Sequence, residues 1–311
     1  TTSGSYGIIA GNDAATPSTT GGADNDYVVI EENTIQRAYY GIYANGTSSV
    51  NAGGLDVWQI SNNIIGPASS GTNNIGAAGI YMQNAAYIQI SANLIRNVNT
   101  SASSNIGGIY LAANVMTLVV SQNTINAVTS SASSSGINSI NGLYFGNSIM
   151  FATVTFNTIS GIYNTNSSGY GARGIIVNTG NTLGNITVNN NMISDIVSYS
   201  DASAIYWPIG ISVDGSANND FNSVNLFGSQ TGRSAATGAA ALYQNATGGN
   251  IRIRNNILAN SYDNTTSSTD ISYALYSAAS ATNISAMNYN NYYVGGNASS
   301  LILAYQGAAQ N

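Results

Sequence analysis

The sequence predicts an all-β solenoid that forms one elongated domain over residues 1–311. The first observation is the pattern Asn-x-(large apolar), which returns nine times at intervals of 30 to 35 residues. The second is Gly-Ile-Tyr or a close variant, which also recurs nine times and keeps in phase with the first. A fixed period of this length is typical of solenoids, in which each repeat buries its apolar face only against its neighbours.

The asparagine of the first pattern is predicted to stand at a tight corner of every coil. Asparagine tolerates the left-handed backbone conformation better than any residue except glycine. Because strands stack ~4.8 Å apart, the amides of successive coils can hydrogen-bond to one another, which glycine cannot do. The predicted Asn ladder consists of Asn33, Asn63, Asn93, Asn123, Asn157, Asn191, Asn225, Asn256 and Asn291.

Residues 79–98 illustrate the predicted coil. A first short strand runs from Gly79 to Met82, and residues 84–86 form a turn. Residues 87–91 alternate apolar and polar side chains, as a half-buried second strand does. A third strand begins after Asn93. Polar Ser/Gly/Asn runs, such as 99–105 and 129–139, then predict loops of variable length at one corner.

Counting back three and five residues from each asparagine predicts the inward side chains. These positions are aliphatic in most coils, with one Trp. The seventh coil, around residues 221–224, and the ninth, around residues 286–291, depart from the rule, so we expect a bulge or register change in each. The predicted inward pairs are Val28 and Ile30, Trp58 and Ile60, Ile88 and Ile90, Leu118 and Val120, Ala152 and Val154, Ile186 and Val188, and Ile251 and Ile253.

Three short strands per turn, an asparagine at a tight corner and long loops at another corner resemble the right-handed parallel β-helix, the fold of pectate lyases. The resemblance covers roughly residues 5 to 305 and implies about nine to ten coils. It leaves function open, since this scaffold serves lyases, hydrolases, phage spikes, adhesins and passive surface proteins. In the family's enzymes, chemistry lies on the outer face of the first strand and uses an Arg or Lys base with Asp-bound calcium, or clustered Asp with His.

The composition argues against such an enzyme. The chain contains no His, no Cys and no Lys, and only 6% of its residues are charged. Its acidic residues are scattered, mostly one per coil, so we expect no catalytic site and no cofactor. Two places could offer oxygens to Ca²⁺, although ordinary turn chemistry is the favoured explanation of both. They are Asp214 with Asp220, and Asp24 with Asp26.

Charge and hydropathy limit the binding partners and the cellular location that the chain can have. A net charge of −6 without lysine disfavours nucleic acid binding. No apolar run approaches the ~20 residues that span a membrane. No signal peptide is recognisable, because the chain already predicts a strand at Tyr6–Ala10. Low charge and abundant Asn, Ser, Thr and Gly favour an extracellular or cell-surface bacterial protein.

The tyrosine of the Gly-Ile-Tyr pattern is predicted to point outward. The column would be exposed on consecutive coils, interrupted by Ile176 and Ser212. Exposed aromatic rings in a row can stack on a polysaccharide or pack against another chain. The alternatives are that loops cover the column, or that stacking only stabilises the sheet. The column comprises Tyr43, Tyr81, Tyr110, Tyr144, Tyr243 and Tyr276.

Both ends of the solenoid are predicted to lack a cap. No amphipathic helix is apparent at either end, and Tyr6–Ala10 and Leu301–Tyr305 predict bare strands. Either the chain is a segment of a longer β-helix, or its ends stack on other copies head to tail. We therefore expect a structural role in a surface fibre, filament, sheath or adhesin stalk. Its partners would be copies of itself, head to tail or lateral, or other surface proteins. A carbohydrate-binding surface protein is the first alternative, and a polysaccharide lyase or hydrolase the second.

Overall fold

The protein is an all-β, right-handed parallel solenoid in the computed structural model. Each coil contributes one strand to each of three parallel sheets, and the apolar core fills the space between the sheets. The structure describes residues 4–11, 21–22, 24–47, 54–101, 106–132, 140–167, 171–180, 184–199, 207–230, 238–245, 249–264, 270–306 and 309–310. The predicted loops at 99–105 and 129–139 lie partly outside these ranges.

The first sheet contains the Gly-Ile-Tyr strands, the second precedes the Asn corner and the third follows it. The first sheet runs through Tyr6–Ala10, Tyr40–Asn45, Ala78–Gln83, Gly107–Ala113, Ile140–Asn147, Ala172–Asn178, Pro208–Asp214, Gly238–Gln244, Ile271–Ser277, Ser300–Gln306 and the antiparallel Ala309–Gln310. The second runs through Val29–Glu31, Gln59–Ser61, Ala85–Ser91, Val115–Ser121, Met150–Thr155, Ile186–Asn189, Ala217–Asp220, Ile251–Arg254 and Ile284–Asn288, with Leu55–Asp56 beside it.

The third sheet and the remaining short elements complete the coils. The third sheet runs through Thr34–Ile35, Ile64–Ile65, Leu94–Thr100, Thr124–Ser130, Thr158–Asn164, Met192–Ser194, Ser223–Leu226, Ile257–Asn260 and Asn291–Val294, with Ile196–Ser198 beside it. Ser229–Gln230 pairs with Asp263–Asn264, and Ala281–Asn283 forms a 3₁₀ turn. The strand predicted to be bare at Leu301–Tyr305 is paired along part of its edge, because Ala309–Gln310 lies antiparallel to Ala304 and Tyr305.

The inward side chains are those predicted from the sequence. All the predicted pairs are buried except Val28, which is half-buried on the first rung. The expected register change in the ninth coil is confirmed by a shift between Ile251 and Arg252. In the seventh coil the expectation is wrong, because the register continues unbroken and places Asn219 inward between Val188 and Ile253.

The two sequence patterns stay in phase because they touch. A Cβ added to Gly41 would lie 2.5 Å from Cγ2 of Ile65, and one added to Gly142 would lie 2.4 Å from Cγ2 of Ile159. In the strands that have this glycine, it therefore leaves room for the apolar residue two places after the ladder asparagine of the same coil, whereas the strands Gly238–Gln244 and Ile271–Ser277 have Ala241 and Ala274 at this position. A side chain in place of Gly41 or Gly142 would overpack the core.

The left-handed corner residue is not the ladder asparagine, which corrects the sequence prediction. The residue just before it adopts positive φ, for example Ala92 (φ 56°), Phe156 (φ 57°) and Phe221 (φ 58°). The asparagine itself turns inward and hydrogen-bonds. Asparagine therefore recurs at this position because its amide makes these hydrogen bonds, and not because it tolerates the left-handed backbone conformation.

Candidate functional site

The Asn ladder is continuous and has a direction. In its middle, the backbone N–H and Nδ2 of Asn93 both donate to Oδ1 of Asn123, each at 3.0 Å. Nδ2 of Asn93 also donates to the carbonyl of Ile60 in the preceding coil, at 2.9 Å. Each buried amide therefore ties its own coil to the coil on either side. The ladder runs through Asn33, Asn63, Asn93, Asn123, Asn157, Asn191, Asn222, Asn256 and Asn290.

Two predicted ladder residues are wrong. Asn222 rather than Asn225 forms the seventh rung, and Asn290 rather than Asn291 forms the ninth. Asn225 and Asn291 are exposed on third-sheet strands. The error arose because Asn225 also precedes two apolar residues, so the tripeptide pattern alone does not distinguish it from Asn222 three residues earlier.

The predicted exposed tyrosine column is buried over its first four rings, which corrects that expectation. Tyr43 and Tyr81 stack at 4.7 Å between ring centroids, Tyr81 and Tyr110 at 5.8 Å, and Tyr110 and Tyr144 at 4.2 Å. Burial and the neighbouring tyrosines raise the pKa of Tyr81 and Tyr110. These rings stabilise the first sheet by stacking and present no sugar platform.

The second part of the column resumes beyond Ile176 and Ser212 and is half-buried. Tyr243 stacks on Tyr276 at 4.9 Å, and Tyr276 stacks on Tyr305 at 4.8 Å. Both parts of the column therefore act mainly as packed rows of rings.

A buried cation lies in the interruption of the tyrosine column. Arg173 is buried on the first sheet, and burial lowers the pKa of its guanidinium to about 10. Tyr243 and Tyr144, which become negative when they ionise, and the carboxylate of Asp214 oppose that shift, because negative charge near a cation favours its charged form. Asp214 thus contributes to the electrostatic surroundings of Arg173.

Asp220 is engaged by two arginines, so its carboxylate is already neutralised. It is nearly fully buried at the end of Ala217–Asp220, and Nε of Arg252 donates to its Oδ2 at 2.8 Å. Nε of Arg254 lies 3.4 Å from its Oδ1. Asp214 ends a strand of the first sheet, whereas Asp220 ends a strand of the second.

Asp24 and Asp26 lie beside a third carboxylate that sequence reasoning did not connect with them. The backbone N–H of Asp56 donates to Oδ1 of Asp26 at 3.0 Å. Burial raises the pKa of Asp56, and the charges of Asp26 and Asp24 raise it further. Within the described ranges, no three His, Cys, Asp or Glu side chains are grouped so as to hold a metal ion. Calcium binding at either predicted place stays a prediction.

A groove that the sequence did not predict lies beside these carboxylates on the outer face of the second sheet. It has a volume of about 220 Å³ and is lined by three side chains that each lie six residues before a ladder asparagine. These are Tyr27, Val57 and Tyr87, on three successive coils. Tyr27 is 79% exposed and Tyr87 is 58% exposed. Val29, Trp58, Gln59 and Gln89 also line it.

The groove residues hold an unfavourable backbone conformation. Tyr27, Val57 and Tyr87 have φ values of 58°, 59° and 56°. Positive φ is a genuine outlier for β-branched and bulky residues. Two later coils place Asn185 and Asn250 at the equivalent corner, where asparagine fits with less strain. The available sequence signal was the 30-residue spacing of three apolar residues outside the inward positions.

No protein-family model, curated protein or solved structure matches the chain. Among the described residues, no helix is long and apolar enough to cross a membrane.

Proposed function

We propose that the protein is a structural, non-enzymatic β-helix rod, a subunit or segment of an extracellular or cell-surface bacterial fibre, filament, sheath or adhesin stalk. The pectate-lyase-like scaffold would serve here as a spacer and assembly element. Its partners would be copies of itself or other surface proteins.

The observation that carries this proposal is the direction of the Asn ladder. At the first rung, Asn33 donates to Asn63, while its own Oδ1 accepts no hydrogen bond from a described residue. At the last rung, Oδ1 of Asn290 accepts from Asn256, while the backbone N–H of Asn290 donates to no described residue. An acceptor at one end and a donor at the other would let a second ladder continue the first in the same direction.

The apolar core supports the same arrangement. Core side chains are only half-buried on the terminal rungs, including Ile8 and Val28 at one end and Met287 and Val294 at the other. At the C-terminal end, Ala309–Gln310 pairs with part of the last first-sheet strand, which leaves the second and third sheets free to receive a further coil. Stacking a coil on these strands would remove this apolar area from water, at roughly 25 cal/mol per Å². Contacts of this head-to-tail kind give open filaments.

Adjacent residues on the first rung provide a matched test. Val28 points into the core and Val29 points outward, exposed on the lateral face. We expect the wild-type chain to form longer rods as its concentration rises, by sedimentation velocity and electron microscopy. Val28→Lys should abolish elongation, because it buries a charge between stacked ends, whereas Val29→Lys should preserve it. Circular dichroism would verify that both variants fold. Wild-type rods of one fixed length at every concentration would contradict end-to-end assembly.

A further inference from the structure

We propose that the groove formed by Tyr27, Val57 and Tyr87 binds a neutral sugar chain that runs along the coil stack. This site lies on the second sheet, away from the buried tyrosine column, and its function is independent of whether the rods assemble end to end.

Positive φ at this corner belongs to the repeat, since Thr117 and Phe151 hold it on the next two coils, but the groove residues are distinguished by their exposed apolar side chains on three successive coils. A left-handed non-glycine residue costs on the order of 1–3 kcal/mol. Burial in the core does not offset this cost, because both tyrosines and Val57 are exposed. Asn185 shows that the repeat accepts a less strained residue at the same corner.

The dimensions of the groove suit a sugar ring. Tyr27 and Tyr87 are two rungs apart, which places their backbones about 9.6 Å from one another with Val57 between them. A flat apolar group in contact with both sides at ~3.5–4 Å needs about 7–8 Å. Sugar rings offer such C–H faces to aromatic side chains.

The polar groups of the groove select a neutral chain. Gln59 and Gln89 have stacked backbones and present amides that can donate to and accept from hydroxyl groups. The carboxylates of Asp26 and Asp56 lie immediately before Tyr27 and Val57 in sequence. They can accept hydroxyl hydrogens, and they would repel uronate or sulfate groups. The same negative charge disfavours docking of a second copy of this acidic chain.

Three later coils have polar residues at the same corner. A second groove of about 250 Å³ is lined by Asn185, Ser216 and Asn250, among others. Its residues occupy the position in the coil that Tyr27 and Tyr87 occupy in the first coils. A linear glycan along this corner would meet aromatic rings at one end and amide and hydroxyl groups at the other.

The test is isothermal titration of the full chain with neutral hexasaccharides, namely cellohexaose, xylohexaose and mannohexaose, and with hexagalacturonate. We expect saturable binding of at least one neutral chain and none of hexagalacturonate. Tyr87→Asn should weaken binding roughly threefold to tenfold, because it removes a ring and keeps a residue suited to positive φ. Tyr87→Phe should retain most of the affinity.

Tyr289 supplies the matched control. It is 80% exposed with φ 57°, but it lies at the other corner of the second sheet in the ninth coil. Tyr289→Asn should leave the affinity within about twofold. The proposal is overturned if no neutral hexasaccharide binds, if hexagalacturonate binds preferentially, or if Tyr87→Asn and Tyr289→Asn weaken binding equally. Self-association that Tyr87→Asn abolishes would instead assign the face to a second copy.

Discussion

Replacing Asn219 with valine should stabilise the protein. Asn219 is 0% exposed at an inward position, and neither Oδ1 nor Nδ2 of its side chain has a hydrogen-bond partner. Its neighbours in the stack are Val188 and Ile253, so the amide interrupts an aliphatic column. The ladder uses only the backbone carbonyl of Asn219, which accepts from Asn256 at 2.9 Å. Valine would keep that bond.

The magnitude follows from counting the unpaired Asn219 amide as one buried polar group. A buried polar group without a partner costs about 1–3 kcal/mol in protein mutational data. Valine also adds buried apolar surface worth about 1 kcal/mol. We therefore expect Asn219→Val to raise the free energy of unfolding by about 2–4 kcal/mol. For a chain of this length, that corresponds to a Tm increase of roughly 3–6 °C.

The assay is urea and thermal unfolding of the wild type and Asn219→Val, followed by circular dichroism. The neighbouring outward residue gives the control, because Asn218→Val changes the same chemistry on the half-exposed face and should shift stability by less than about 1 kcal/mol. A variant less stable than the wild type would refute the reasoning, since it would show that the Asn219 amide is satisfied in solution.

Three other substitutions test the ladder, the core and the acidic cluster. Asn222→Ala should lower the free energy of unfolding by about 2–5 kcal/mol in denaturant titrations. The control Asn225→Ala should change it by less than about 0.5 kcal/mol. Equal effects of the two substitutions would contradict the assignment of Asn222 to the ladder. Gly142→Ala should cost about 1–3 kcal/mol or more in the same assay, because its Cβ would meet Ile159, and an unchanged stability would contradict that contact. The raised pKa of Asp56 means that the folded state holds its proton more tightly than the unfolded state, so stability should rise as pH falls through this pKa. Asp56→Asn should therefore exceed the wild type in Tm at pH 7 and lose that advantage near pH 3; a constant difference would show that charge is not the cause.

The regular coils could be predicted almost completely from the sequence because one period repeats two coupled contacts. The strand predicted at Tyr6–Ala10 has those bounds in the structure, and the residues three and five before the ladder asparagine face the core in the first eight coils. In the ninth coil the register shift leaves Ser285 exposed. The errors fell where a coil departs from the consensus. Asn225 offered a second match to the tripeptide, and only the hydrogen bonds of Asn222 identify the rung.

The candidate site was predicted less well, because outward positions obey no periodic rule. The Gly-Ile-Tyr pattern placed Tyr81 and Tyr110 on the outer face, yet nothing in the pattern reported their burial. Conversely, Tyr87 was noticed only as one member of an alternating strand. Its positive φ, and its position in one groove with Tyr27 and Val57, depend on how the corners of successive coils stack.

By itself, the sequence determined the solenoid, its inward columns and the recurrence of one asparagine per coil between the second and third strands. These features are local and repeated, so each coil supplies the same information again. Only the tertiary structure decided which asparagine joins the ladder, which tyrosines are covered and where an exposed groove forms. The physical reason is that hydrogen-bond partners, burial and left-handed corners are properties of stacked coils about 4.8 Å apart, whose members are separated by 30 residues or more in sequence.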